Sequence, residues 1–270
     1  MDNKKKERLE ALLDQYCRQD VCVAFSGGVD SSLLLHAACK ASARYGTAVY
    51  AITLDTVLHP AADLEAAKKV LEKTSAIHVV LKVDELAVPE IRFNPENRCY
   101  LCKKELYSGM LDFAEEKGIQ TVMEGTNEDD LHVYRPGIQA VRELGIKSPL
   151  AECGFTKDEV RFLAGEYGVL SAERPSSPCL ATRLPYGAEI RPELLKRIDQ
   201  AESFLRSQGF RNVRVRVHGS ITRLEVDQED FSRVLEIRNN IIPLLKDLGF
   251  GYVTMDLEGF RSGSMDQITG

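Results

Sequence analysis

Four short apolar runs punctuate the first half of the chain, at 21–25, 48–54, 77–83 and 120–124. Between them, apolar residues recur at helical spacing over 31–45, 62–73 and 101–117, and the first twenty residues carry the pattern of an amphipathic helix. Strand and helix alternating at this spacing predict an α/β fold, a parallel sheet with helices on both faces. Residues 138–170 read as mainly helical. The stretch SAERPSSPCLATRLPYGAEIRP, 171–192, is rich in Pro, Ser and Gly and breaks the pattern. A helix over 192–208 follows, then alternating strands in VRVRVHG and TRLEVD, a helix near 230–247 and a last strand in GYVTMD. These predict a small α+β C-terminal domain. The expected division is 1–175, a cysteine-bearing linker over 176–191, and 192–270. No internal repeat or low-complexity tract interrupts it.

Composition narrows the class. In 270 residues, 35 Lys and Arg stand against 41 Asp and Glu, for a net charge of −6. A surface that coats nucleic acid tips the other way, so RNA and DNA are not the expected partners. No apolar run approaches the length of a membrane span. Seven cysteines, an odd number, do not suit a secreted disulfide framework, and reduced thiols in the cytoplasm are the expectation.

The first apolar run stops at Ser26-Gly27-Gly28-Val29-Asp30-Ser31-Ser32, and a helical pattern begins at once. A strand feeding a helix through glycines leaves unpaired N–H groups at the positive end of the helix dipole, which is an anion site. The hydroxyls of Ser26, Ser31 and Ser32 add donors, and Gly27 and Gly28 let the backbone approach a phosphate. The string lacks both the Gly-Lys-Ser/Thr of a Walker A loop and the G-x-G-x-x-G of a dinucleotide fold. By itself it fits a serine-capped tight turn equally well. A second turn, EGTNEDD, follows the fourth run and gathers Glu124, Asn127, Asp129 and Asp130, of which Glu124 and Asp129 are the candidates for Mg²⁺ or a ribose hydroxyl. An acidic helix cap is the plain alternative.

Cys99 and Cys102 in ENRCYLCKKELY lie at the start of a helical pattern beside Arg98, Lys103 and Lys104. Helix N-termini and nearby cations favour the thiolate that metals and electrophiles require. A redox pair or half of a zinc site both fit this spacing. Cys179 stands in the Pro-rich stretch, while Cys17, Cys22, Cys39 and Cys153 fall in helix or strand patterns and read as packed thiols. Arg214 and Arg216 share one face of VRVRVHG, and Arg183 follows Cys179 closely; guanidinium groups pair well with phosphate.

The string SGGVDSS resembles the pyrophosphate loop of the ATP pyrophosphatases, which cleave ATP between its α and β phosphates and adenylate a carboxylate or carbonyl oxygen. That resemblance implies that Ser26, Gly27, Gly28, Asp30, Ser31 and Ser32 hold the departing pyrophosphate and its Mg²⁺, and that Thr53, in TLD, lies at the adenosine. Together with NRCYLCK, EGTNEDD, RPSSPCLATR and LEGFRSGSM, the loop is similar to the LarE sulfur transferase family over nearly the whole chain. The resemblance implies adenylation of pyridinium-3,5-biscarboxylic acid mononucleotide and its sulfuration for a nickel-pincer cofactor. Some members sacrifice a single cysteine, here Cys179; others carry C-x-x-C besides it and hold a [4Fe-4S] cluster that relays sulfide. Cys99, Cys102 and Cys179 fit the second kind. Three thiolates on a four-iron cube leave one iron open to sulfide, unlike the four-cysteine ligation of electron-transfer clusters. The family's anion pocket at subunit contacts adds weight to the arginines and implies a homo-oligomer, with a sulfide donor as partner. A cluster-dependent tRNA thiolase, an amidotransferase-type ligase and a nucleotide-binding iron–sulfur scaffold are the competing readings.

Overall fold

The computed structural model describes residues 3–133, 135–169 and 178–261. The RPSS of the cysteine stretch and residues 262–265 of LEGFRSGSM lie outside them. In chain order the elements are α1 (Asn3–Tyr16), β1 (Val21–Ala24), α2 (Val29–Ser42), β2 (Val49–Asp55), α3 (Ala61–Leu71), β3 (Ile77–Lys82) and α4 (Pro89–Arg92). Then come α5 (Arg98–Glu116), β4 (Thr121–Met123), α6 (Gly137–Glu143), α7 (Pro149–Glu152) and α8 (Lys157–Glu166). The C-terminal part supplies α9 (Pro192–Ser207), β5 (Val213–His218), β6 (Ile221–Val226), α10 (Phe231–Glu236), α11 (Arg238–Asp247) and β7 (Tyr252–Met255).

The chain forms two compact units. The first holds the described residues of Met1–Thr56, Ala61–Glu85 and Asn97–Ser177; the second holds Val57–Pro60, Leu86–Glu96 and those of Pro178–Gly270. Two short excursions from the N-terminal half thus pack with the C-terminal residues, for a local reason. The Asn94 amide donates to the carbonyls of Leu184 and Pro185, at 3.1 and 2.8 Å. Backbone bonds add Leu180 N–H to Leu58 and Ile190 N–H to Arg92.

In the first unit the sheet runs β3-β2-β1-β4, every pair parallel. Its apolar runs are continuous because both faces are covered. Val21, Val23 and Ala51 join Leu33, Leu34, Phe155 and Leu163 on one side; Cys22 and Ile52 join Met110, Val122 and Val141 on the other. Leu9 and Leu13, four apart on α1, are buried in the first cluster. Strand order reverses between β1 and β4, so the crevice outside their carboxyl ends is where such sheets receive ligands.

In the second unit β6 pairs antiparallel with β5 and parallel with β7. Leu195, Ile198, Ala201 and Leu205 of α9 are buried, as are Val213 and Val215 of β5. The single helix expected near 230–247 is two, parted at Ile237. Buried Val234, Ile241 and Leu245 keep one stripe across the break, which is why the pattern reads as continuous.

Just after β3, Glu85 is fully buried. Burial pushes its carboxyl up, partly offset by its own backbone and the Thr56 hydroxyl, and Asp84 and Glu105 push the same way as burial. A carboxyl with a raised folded-state pKa gives stability that is complete below its unfolded value and lost as pH rises through the folded one. Glu85→Gln is therefore expected to melt above the wild type at pH 8, with the advantage closing as pH falls toward 4–5. Thermal melts across pH check this; parallel curves would remove the effect.

Candidate active site

β1 ends at the crevice, and four residues separate it from α2. Gly28 is its N-cap and offers no side chain, so the first-turn amides of Val29, Asp30 and Ser31 keep no acceptor inside the helix. Gly27 turns the chain with φ +73°, and a Cβ there would sit 2.9 Å from the Cα of Ala67 on α3. Glycine meets both demands at once. Ser31 Oγ donates to the Gly28 carbonyl at 3.1 Å and lies 3.2 Å from Ser26 Oγ. The Ser32 hydroxyl is fully buried without a partner among the described residues. The Thr53 hydroxyl is also buried, but it donates to the Phe25 carbonyl at 3.0 Å and lies 3.0 Å from His78 Nε2. Its side chain is spent between strands.

Across the switch point, β4 leads into the second turn. A Cβ on Gly125 would stand 2.9 Å from Ser31 N, so only glycine lets this turn close on the start of α2. The Glu124 carboxylate accepts from Thr126 N–H at 2.9 Å, Thr126 Oγ1 at 2.8 Å and Ser148 Oγ at 2.5 Å. It is buried, and these bonds hold the turn together. Asp129 is exposed, and its carboxylate accepts the Lys157 N–H at 2.8 Å, at the first turn of α8. The group that reaches the loop is Asn127, whose buried amide donates to Asp30 Oδ1 at 2.9 Å. Lys157 ion-pairs with Asp30 Oδ2. Sequence reasoning passed over Lys157; the signal is its place just after Thr156, whose capping box with Glu159 fixes the start of α8.

Cys99 and Cys102 are the second and fifth residues of α5, the former exposed and the latter buried. The Arg98 guanidinium reaches Cys99 Sγ at 3.7 Å. Lys103 Nζ lies 3.8 Å from Glu124, tying this helix to the β4 turn within the first unit. Burial pushes the Cys17, Cys39 and Cys153 thiols up, and Cys22 up to about 12, as packed thiols require.

Cys179 belongs to the second unit, half-buried ahead of a single 3₁₀ turn, Leu180–Arg183. Arg183 and Arg216 are buried there, and their groups are engaged. Arg183 grips Glu202 through Nε and Nη2, both at 2.8 Å. Arg216 grips Glu225 at 2.6 and 2.9 Å. Burial alone would raise the Glu202 carboxyl; the Arg183 guanidinium overcomes it and holds the group below the usual range. These two arginines thus have their forks filled by buried carboxylates. Arg214 differs. Among the described residues it grips no carboxylate, stacking instead over Phe260 with 5.0 Å between guanidinium carbon and ring centre. Burial first, and then the Arg183 charge, push it down to about 10. A cation crowded by cations is suited to receive an anion. Glu202 and Glu225 were missed in sequence, although Glu202 interrupts the apolar stripe Leu195, Ile198, Ala201, Leu205, where a charge signals a buried partner.

An uncapped helix start at the switch point of a parallel sheet, ringed by serines, with an aspartate and a lysine beside it, defines an α/β protein that binds the phosphates of a nucleotide. The PP-loop domain family matches residues 1–133. Over 262 residues the chain is 36% identical to the pyridinium-3,5-bisthiocarboxylic acid mononucleotide synthase of Lactiplantibacillus plantarum, covering 97% of this chain and 94% of that one. An uncharacterized Synechocystis protein is 37% identical over 248 residues, 91% of each chain. The glutamine-hydrolyzing GMP synthase of Aeropyrum pernix is 29% identical over 206 residues, 68% of this chain and 39% of its own. The chain belongs to the LarE family of ATP-dependent PP-loop sulfurtransferases. Among the described residues no helix is long and apolar enough to cross a membrane.

Proposed function

We propose that this enzyme adenylates the carboxylates of pyridinium-3,5-biscarboxylic acid mononucleotide and converts them to thiocarboxylates, with sulfur delivered through a [4Fe-4S] cluster on Cys99, Cys102 and Cys179. The observation that carries it is the near full-length similarity to a synthase named for the bisthiocarboxylic product. The substrate carboxylate attacks the α-phosphorus of ATP, and pyrophosphate leaves. The amides of Val29, Asp30 and Ser31, with the hydroxyls of Ser26, Ser31 and Ser32, stabilise the charge that develops on it. Asp30 would hold Mg²⁺, and Lys157, which ion-pairs with Asp30, would supply positive charge to the phosphates. Arg214 anchors the mononucleotide phosphate.

The residues that would hold the cluster are soft thiol donors, Cys99 and Cys102 one helical turn apart on α5 and Cys179 at the cap of the 3₁₀ turn Leu180–Arg183; among the described residues no three His, Cys, Asp or Glu side chains already stand together as a metal site. When bound, the cluster supplies sulfide to the acyl-adenylate, and AMP leaves. Assembly as a homo-oligomer, a cytoplasmic location and a separate sulfide donor belong to the same reading.

The test is anaerobic product analysis with ATP, Mg²⁺, sulfide and the dicarboxylate. AMP, pyrophosphate and thiocarboxylate are expected. ADP and orthophosphate without AMP would overturn the proposal, because the loop stabilises pyrophosphate and no Walker lysine favours γ-phosphoryl transfer.

A further inference from the structure

Two buried ion pairs converge on the turn that bears Cys179. Arg183 Nη1, the nitrogen not engaged by Glu202, donates to the Pro178 carbonyl at 3.0 Å, the Cys179 carbonyl at 3.2 Å and Thr182 Oγ1 at 2.9 Å. Thr182 Oγ1 in turn donates to the Cys179 carbonyl at 2.7 Å. From the sheet, Arg216 Nη1 donates to the Thr182 carbonyl at 2.7 Å. Glu202 also accepts the Val215 N–H at 3.0 Å, so the clamp is fixed to both α9 and β5.

Stability is a poor explanation for this arrangement. Burying Arg183, Arg216, Glu202 and Glu225 costs their hydration, and well-packed apolar residues in place of such pairs are often as stabilising or more so. What an apolar side chain does not offer is a planar fork that grips a carboxylate on one edge and a run of carbonyls on the other. These donors end on residues 178, 179 and 182, around the backbone that sets the direction of the Cys179 side chain.

We propose that Arg183 and Thr182, backed by Glu202, are positioning residues that fix the backbone of Cys179 and so the direction of its thiol. The inference rests on the reading of Cys179 as a sulfur-handling residue. In this reading Arg183 and Thr182 act through Cys179, by way of their hydrogen bonds to its carbonyl. Arg183→Lys cannot replace the clamp, because one ammonium does not serve Glu202 and two carbonyls from the same place.

Thr182→Val tests this with the least disturbance, since it keeps the shape and removes only the hydroxyl; Thr182→Ser restores that hydroxyl. The first readout needs no turnover: the rate at which iodoacetamide alkylates Cys179 in the cluster-free full chain at one fixed pH, followed by peptide mass. Loss of a hydrogen bond that holds the turn is expected to raise that rate about fivefold in Thr182→Val, with Thr182→Ser returning to the wild-type rate. The second readout is thiocarboxylate formed per turnover of the reconstituted enzyme, which is expected to fall in Thr182→Val with KM for ATP unmoved and to recover in Thr182→Ser. Equal alkylation rates in all three proteins would overturn the proposal, as would a loss in Thr182→Val that Thr182→Ser does not rescue. Arg183→Lys should exceed Thr182→Val in both readouts if it folds, and the threonine pair decides the matter if it does not. Should the wild type make no thiocarboxylate, the proposed function fails, while the alkylation rates still judge the clamp.

Discussion

Asp30→Ala is expected to slow formation of AMP and pyrophosphate by about 10²–10³-fold, the usual cost of removing one well-aimed electrostatic group. Asp30 Oδ1 receives the Asn127 amide and Oδ2 the Lys157 ammonium, so the aspartate joins the turn after β4 and the start of α8 to the phosphate loop. Alanine there removes the carboxylate proposed to hold Mg²⁺ and leaves Lys157 without its partner. Unfolding is not the expected cause of the loss. Lys157 and Asp30 are both partly exposed, and pairs of that kind contribute about 0–1 kcal/mol. Melting within a few degrees of the wild type, together with loss of the rate measured by pyrophosphate release, is the predicted combination. Asp30→Asn should lose nearly as much, because it keeps the shape and removes the charge. An Asp30→Asn enzyme at the wild-type rate would show that the carboxylate orders the loop and does no more.

The parallel sheet was legible because the central strands β1 and β2 are largely buried, so that they read as apolar runs, and the helices between strands carry apolar faces, both of which are local patterns. The loop after β1 was legible only in part: its glycines and serines fit an anion site and a capped turn alike, and the whole string SGGVDSS decided between them through its resemblance to the pyrophosphate loop. What the sequence concealed is long-range pairing. Lys157 lies 127 residues from Asp30, and its place beside the Thr156 cap marks a helix start without telling that its ammonium pairs with the phosphate loop. Arg183 and Arg216 carried the right chemistry for a phosphate, yet acids on α9 and β6 hold them inside the fold. The acid at position 202 on the apolar face of α9 was the available clue. The assignment of residues 57–60 and 86–96 to the second unit was hidden for the same reason, since hydrogen bonds such as that from Asn94 to Leu184 join segments 90 residues apart.

The other large effect concerns the cysteines. Alanine at Cys99, Cys102 or Cys179 is expected to abolish the iron and acid-labile sulfide of anaerobically reconstituted protein, together with its broad visible absorption. Each removes one of only three protein thiolates, and a cube already short of a fourth ligand has none to spare. Cys39→Ala is the control, because that thiol is buried in the core and burial pushes its pKa up, away from the thiolate that iron requires. Its iron content should equal the wild type's. The same preparations decide where the sulfur comes from. If the cluster relays it, Cys179 keeps its mass after many turnovers and activity continues while sulfide is supplied. Dehydroalanine at position 179 in proportion to product would make Cys179 the donor instead. Full iron in Cys179→Ala would break the three-cysteine assignment while leaving the adenylation chemistry of the first unit standing, because Asp30, Asn127 and Lys157 owe nothing to that thiol.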